Sequence, residues 1–278
     1  MYTWNMIDVH CHLNLHKFDE DYDDAIKRAH EKGVEIIINT GTSIPSSRRA
    51  IDLAHQYQNL YAIVGIHPHH ADKTDKEFEG ELQSDWLEKL EEMLKQQKVV
   101  GVGEIGMDYF SYKSNGIVEK NLQEKIFIQQ IELAHMYNKP LQIHNRLAGE
   151  DVIEILKTHR HLLKNEYPGM FHCFAGTTKV LHEALDLGFM IGFDGNITYP
   201  GLAPKETVML SELAKHTPID RIVTETDSPF LSPVPFRGSR NEPSHVILVG
   251  EFLAKIKAVS FAEINQQTTL NAKILFGL

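Results

Sequence analysis

Six side chains of metal-binding type fall at or near the ends of short apolar runs spread along most of the chain. They are His10 and His12 in Asp8-Val9-His10-Cys11-His12, then Glu104, His144, His172 and Asp227. Runs such as Val99-Val100-Gly101-Val102-Gly103 and Leu141-Gln142-Ile143 have the length and β-branched content of strands. If these strands are parallel, they deliver their last residues to one place, so the spacing predicts a shared cluster of imidazoles and carboxylates. Such groups bind divalent transition ions, and two of these ions ~3.5–4 Å apart are the apparatus of hydrolysis by a metal-activated water.

Each member of the set has a reading of its own. Residues two apart in a strand point the same way, so His10 and His12 can grip one cation, with Asp8 as a steadying partner rather than a third ligand. Glu104 in Gly103-Glu104-Ile105-Gly106-Met107-Asp108-Tyr109 suits a carboxylate bridging two cations, the alternative being a buried ion pair. His144 in Ile143-His144-Asn145-Arg146 and His172 in Phe171-His172-Cys173-Phe174 supply imidazoles for a second cation, although either alone would also suit a hydrogen-bonded core position. Asp227 in Glu225-Thr226-Asp227-Ser228-Pro229 can complete the His10/His12 cation and accept the proton of the water that bridges the metals as hydroxide; an Asx turn fits the same residues. The catalytic roles therefore fall on Asp227 and Glu104. Around them His67, Arg146, Arg237 and Arg240 are candidates for phosphate oxygens, with a solvated loop paired to Glu242 as the alternative for the last two arginines. Tyr109, Phe174, Tyr199 and Phe236 stand either as base-stacking residues or as packing.

The elements that must position this set alternate from end to end. Strands are expected over Met6–His10, Val34–Asn39, Leu60–Ile66, Val99–Glu104, Pro140–His144, Met170–Cys173, Phe189–Phe193 and Arg221–Glu225. Helices are expected over Asp21–Glu31, Ser46–Tyr57, Ser84–Gln96, Leu122–Tyr137, Glu150–His159, Thr178–Leu187, Lys205–Lys215 and Ser244–Ala258, followed by a terminal helical pair ending near Phe276. Ser46 and Ser84 suit N-caps, and Gly33 and Gly188 suit C-terminal stops. Eight such alternations predict an α/β fold, a TIM (β/α)8 barrel, in which all six ligand-type residues lie on the strand-exit face. The segments His67–Gly80 and Pro229–Pro243 are long loops on that face, placed to shape access.

At 278 residues the chain matches one such barrel, a single domain over 1–278. No G-x-G-x-x-G or P-loop follows the first strand, which removes the main support for a nucleotide-cofactor reading. The start Met1-Tyr2-Thr3-Trp4-Asn5 lacks a basic region and an apolar stretch, so the expected compartment is the cytosol, and no apolar run suggests a membrane span. Cys11 and Cys173 are too few for a disulfide framework and are read as free thiols. A formal net charge of −10 argues against coating a duplex, yet two divalent cations would make the pocket itself positive. A strand end or a small phosphodiester fits that balance, and nothing calls for an obligatory protein partner.

With Gly65-Ile66-His67-Pro68-His69 and Arg237-Gly238-Ser239-Arg240-Asn241-Glu242-Pro243, these motifs resemble those of the TatD family of metal-dependent hydrolases and deoxyribonucleases, from Asp8 to the Asn271–Phe276 tail. The resemblance implies a TIM barrel, two divalent ions, and phosphodiester hydrolysis of 3′-exonuclease type. It also implies His10, His12, Glu104, His144, His172 and Asp227 as ligands. Zn, Mn, Co or Ni suit four histidines better than Mg. One departure is Gly192-Phe193-Asp194-Gly195-Asn196, where the family has a neutral turn; a carboxylate at the pocket mouth would repel a polyphosphate. The competing enzyme reading is an amide or ester hydrolase of amidohydrolase type, for example an aminoacyl-tRNA deacylase. The non-enzymatic reading is a metal-binding scaffold, disfavoured because the ligand set and the base are all present.

Overall fold

A computed structural model describes residues 5–278 except 75, 79, 80, 83, 114 and 115, so Met1–Trp4 and the Gly80 end of one long loop lie outside the described residues. The expected apolar runs form eight parallel strands: β1 (Met6–Cys11), β2 (Val34–Thr40), β3 (Leu60–Val64), β4 (Val99–Asp108), β5 (Leu141–Arg146), β6 (Gly169–Phe171), β7 (Met190–Phe193) and β8 (Ile222–Thr224). They pair in sequence order, with Ile37 opposite Leu60, Gly106 opposite His144 and Phe193 opposite Thr224. The ring closes between β8 and β1, where Cys11 bridges Ser228 and the N–H of Asp227 donates to the His10 carbonyl at 2.9 Å. Asp8 fastens this seam, accepting from the Thr226 N–H at 2.9 Å and its hydroxyl at 2.6 Å.

A helix follows each strand: α1 (Tyr22–Glu31), α2 (Ile44–Gln56), α3 (Trp86–Leu94), α4 (Lys120–Met136), α5 (Gly149–Thr158), α6 (Thr178–Asp186), α7 (Leu210–His216) and α8 (Val246–Lys257). Their apolar faces bury Ile26, Leu90, Phe127, Leu156 and Leu181 against the outside of the barrel. A single terminal helix, α9 (Phe261–Phe276), replaces the expected pair, and it packs on β1 and β8. Ala272, Leu275 and Phe276 from its last turns join Ile7, Val9, Ile38, Ile63, Met190 and Val223 in a separate apolar cluster. These strand residues fill the barrel, and α9 stops its lower end. None of the described helices is long and apolar enough to cross a membrane.

Several boundaries differ from expectation for local reasons. The N-cap of α2 is Ser43, not Ser46: the two serines form a reciprocal capping box, and Pro45 suits the first turn. Asp85 rather than Ser84 precedes α3. The expected helix from Lys205 starts only at Leu210, because Lys205 itself has φ 68°, a left-handed conformation that no helix interior contains. Gly33 and Gly188 do end α1 and α6, at φ 90° and 92°.

Two strands carry register slips beside ligand-type residues. From Asp8 to Cys11 β1 advances three residues while β2 advances two, and from Val102 to Ile105 β4 does the same against β5. An extra residue on one strand re-aims the side chains next to it. Strict alternation therefore does not place His10 and His12: His12 lies just beyond β1, and Glu104 sits at the slip in β4, which continues to Asp108 instead of ending there. Gly106 (φ 138°) is needed in this stretch, since a Cβ there would lie 2.0 Å from the His144 carbonyl oxygen.

Candidate metal centre

His10, His12, Glu104, His144, His172 and Asp227 converge on the strand-exit face. The Nε2 atoms of His10 and His12 lie 3.0 Å apart, and Asp227 Oδ1 lies 3.7 Å and 3.4 Å from them. The His172 ring stacks on His10 with centroids 3.5 Å apart, and its Nε2 is 4.0 Å from Asp227 Oδ1 and 3.8 Å from Glu104 Oε1. Glu104 divides its oxygens between two groups. Oε2 faces His10 and His12 at 3.7 Å and 3.8 Å, whereas Oε1 faces His144 Nδ1 at 2.6 Å and His172. His144 and Asp227 are the two most exposed members, at 15% and 14%, and they mark the open side of the cluster.

The far nitrogen of three rings is already occupied, which aims the near one inward. His12 Nδ1 faces the Thr40 carbonyl at 2.8 Å, His172 Nδ1 faces Glu225 at 2.9 Å, and His144 Nε2 faces Asp108 at 2.9 Å. Each acceptor holds a proton on its own side of the ring and leaves a lone pair for the other, the usual device around metal-binding histidines. Below them the buried Gln142 amide donates to the Val9 carbonyl and accepts from the Thr40 hydroxyl, tying β5 to β1 and β2 across the barrel. The sequence by itself assigns no task to Asp108, Glu225 or Gln142. The Asp108 and Glu225 motifs were visible, but the sequence could not show which ring each one meets.

These donors fit divalent cations. Two nitrogens ~2.1 Å from one ion at angles between a right angle and tetrahedral are ~3.0–3.4 Å apart, which spans the His10–His12 separation. The proton balance agrees. Burial, with His172 and His12 as neighbours, holds His10 well below the usual imidazole range. At His12 burial opposes the charge, but the hydrogen bond and charge of Asp227 outweigh it and raise the ring. At His144 burial is likewise overcome, by Asp108 and Glu104, and the ring rises to about 9; Glu225 lifts His172 to about 10. Burial also opposes the Glu104 charge, yet His67 and His144 keep its carboxyl well below the usual carboxylate range. A cluster poised this way exchanges ring protons for bound cations.

The model of the family described as TatD related DNase matches residues 7–277. The chain belongs to the TatD-related DNase family of metal-dependent hydrolases. It is 40% identical to YabD of Bacillus subtilis, an uncharacterized metal-dependent hydrolase, over 98% of this chain and 99% of that one. It is 32% identical to the 3′-5′ ssDNA/RNA exonuclease TatD of Erwinia amylovora, over 98% and 100%. The crystal structure of the TatD homolog YjjV from Escherichia coli K12 superposes with a TM-score of 0.85 at 29% identity, covering 98% of both chains. The TIM-barrel reading stands with these likenesses.

In this TatD-family chain the residues around the cluster sort into those that face it and those that do not. His67 Nε2 approaches Glu104 Oε1 at 3.4 Å, within ligand range of the His144 group. Its Nδ1, however, accepts the backbone N–H of His69 at 3.1 Å, so the neutral ring carries its proton on Nε2. Burial lowers His67 to about 4, so the ring is neutral, with Nε2–H turned toward Glu104 and the His144 group. Arg146 reaches the rim, with Nη1 donating to the Tyr112 hydroxyl at 2.8 Å. Arg237 is exposed and lies over the Tyr199 ring, 4.2 Å from its centroid.

Other expectations need correction. Arg240 is bound on both terminal nitrogens by Asp21 at 2.6 Å and also donates to the Lys17 carbonyl, so its guanidinium anchors the 229–243 loop to the start of α1. Glu242 pairs with Arg28, not with Arg237 or Arg240. Tyr109 turns toward α5, donating to Asp151 at 2.7 Å, and Phe174 is core at 2% exposure, so neither offers a stacking face. Phe236 stacks on His245 at 4.6 Å. Asp194 is not at the pocket mouth: it is fully buried and caps the following turn by accepting from the Asn196 N–H. Burial, then the charges of Glu225 and Asp227, push its carboxyl up to about 8, which favours its neutral form. Cys11 and Cys173 are free thiols.

Proposed function

We propose that the chain binds two divalent cations and hydrolyses phosphodiester bonds at nucleic-acid ends, in the 3′-exonuclease manner. The observation that carries this reading is the division of Glu104, with one carboxylate oxygen toward His10 and His12 and the other toward His144 and His172. One cation would be held by His10, His12, Glu104 and Asp227, the other by Glu104, His144 and His172. When bound, such a pair supplies Lewis acidity and a water ionised near neutral pH.

The remaining work falls to the chain. Neutral His67 donates its Nε2–H to a phosphoryl oxygen, and Arg146 and Arg237 hold phosphate charge by charge-assisted hydrogen bonds. Asp227, open to the pocket, accepts the proton of the attacking water on its carboxylate and returns it to the leaving oxygen. The Gln142 bridge and the apolar filling of the barrel lie on the deep side of the cluster, opposite its exposed members His144 and Asp227. The Erwinia relative's name, a 3′-5′ ssDNA/RNA exonuclease, supports the choice of strand ends.

The test is a panel of substrates given to protein first stripped with chelator and then loaded with Mn, Zn or Co. It comprises 5′-labelled single-stranded DNA, duplex DNA, RNA, aminoacyl-tRNA and neutral esters. Stepwise shortening of single strands from the 3′ end, lost on stripping and restored on loading, is the expected result. Turnover confined to aminoacyl-tRNA or neutral esters would overturn it in favour of an acyl hydrolase.

A further inference from the structure

We propose that Phe110, Tyr112, Arg146 and Lys205 build an anion subsite beside the cluster, which takes the phosphate next to the scissile one. This inference rests on the phosphodiester reading above and narrows the substrate to one that carries a second phosphate. The four residues come from three separate strand exits, after β4, at the end of β5 and after β7.

Two cations share one ring. The Arg146 guanidinium carbon lies 4.1 Å from the centroid of Phe110, and Lys205 Nζ lies 5.3 Å from it. The negative face of an aromatic ring attracts a cation, but two cations gathered on one ring repel each other. An anion placed against both relieves that repulsion. Among the described residues no carboxylate lies in ion-pair range of Arg146 or Lys205. The acid that acts on Arg146 is Glu206, whose half-buried carboxyl is raised by burial and drawn back by Arg146 itself.

The arginine is also held in place. Its Nη1 donates to the Tyr112 hydroxyl at 2.8 Å, and that hydroxyl donates to Asp108 Oδ2 at 3.2 Å, the same oxygen that faces His144 Nε2. A guanidinium has five N–H donors, so fixing one still leaves its other edge for a phosphate. Arg146 stands two residues beyond His144 on the same strand, ~6.6 Å farther toward the rim at the rise of a parallel strand. A phosphate at Arg146 and Lys205 is therefore a neighbour of the scissile group, not the scissile group itself.

Hydrolysis of the thymidine dinucleotide TpT, of pTpT and of TpTp by Mn-loaded protein tests this, with wild type compared with Lys205→Gln and Phe110→Leu. The wild type should show kcat/KM ~10-fold or more higher for one of the two phosphorylated dinucleotides than for TpT, the effect of a charge-assisted contact. Which one is preferred tells the side on which the second phosphate lies. In both variants that ratio should fall toward one. The ratio is unaffected by partial unfolding or metal loss, which lower turnover of all three substrates together. Equal kcat/KM for all three in wild type, or a preference that survives in both variants, would overturn the subsite alone. Absence of hydrolysis of any of them would overturn the phosphodiester reading and the subsite with it.

Discussion

Replacing Glu225 by Gln should weaken metal binding without removing a ligand, through a change of tautomer at His172. Glu225 is fully buried and accepts two hydrogen bonds, from the Cys173 N–H on Oε1 and from His172 Nδ1 on Oε2. A carboxylate can accept both; an amide of the same shape can accept only one and must donate on its other side. The backbone N–H of Cys173 cannot stop donating, so the amide oxygen has to stay with it and the NH2 group has to face His172. Nδ1 then becomes an acceptor, the ring proton moves to Nε2, and the lone pair that faces Glu104 and Asp227 is lost. Outer partners of metal-bound histidines are worth ~10–100-fold in affinity, or ~1.4–2.8 kcal/mol. The assay is competition for Zn against a chromophoric chelator, with thermal melting of the metal-free protein as a folding control. Zinc affinity within twofold of wild type in a folded Glu225→Gln protein would refute the tautomer argument.

Asp227→Asn should keep much of the bound metal, measured by elemental analysis, yet lose at least ~100-fold in kcat, because an amide coordinates but does not accept the proton. Asp194→Asn should raise Tm in the metal-free protein. The folded carboxyl is shifted up to about 8, so the stability its protonation contributes relative to the unfolded chain is full below the usual carboxylate range and falls as pH rises from there to about 8. The variant should remove that fall, and a melting curve as pH-dependent as wild type would count against it. Arg240→Gln should cost less than ~1 kcal/mol, as expected for a partly exposed pair with Asp21, and leave kcat/KM for a single-stranded substrate unchanged. Arg237→Gln should lower that kcat/KM and flatten its dependence on salt, since among the described residues it carries no such pair; equal kinetics for the two variants would erase the distinction.

The fold was legible because the strands are short apolar runs and because Gly33 and Gly188 mark two helix ends, and the convergence of the six ligand-type residues followed from their places at or near strand ends. The cluster's fine geometry was not. Register slips in β1 and β4 decide where His12 and Glu104 point, and they depend on pairing between strands rather than on either strand's own pattern. Asp108 and Glu225 meet their histidines across 36 and 53 residues of chain, so no local spacing announces them. Arg240 looked like a phosphate contact because its partner, Asp21, lies 219 residues away at the start of α1. Tyr109 and Phe174 sit where stacking residues would, but one carries a hydroxyl that finds Asp151 and the other faces the core. Asp194 read as a surface charge because sequence does not report burial, which here reverses its electrostatic meaning.

The central claim is that Glu104 holds two cations at once, and metal stoichiometry against turnover tests it most directly. Stripped protein titrated with Mn should bind two equivalents per chain, with hydrolysis of a 3′-labelled single strand appearing only as the second is taken up. Glu104→Ala should bind fewer and stay inactive at every Mn concentration. Full activity at one equivalent, or two tightly bound equivalents in active Glu104→Ala protein, would contradict the account.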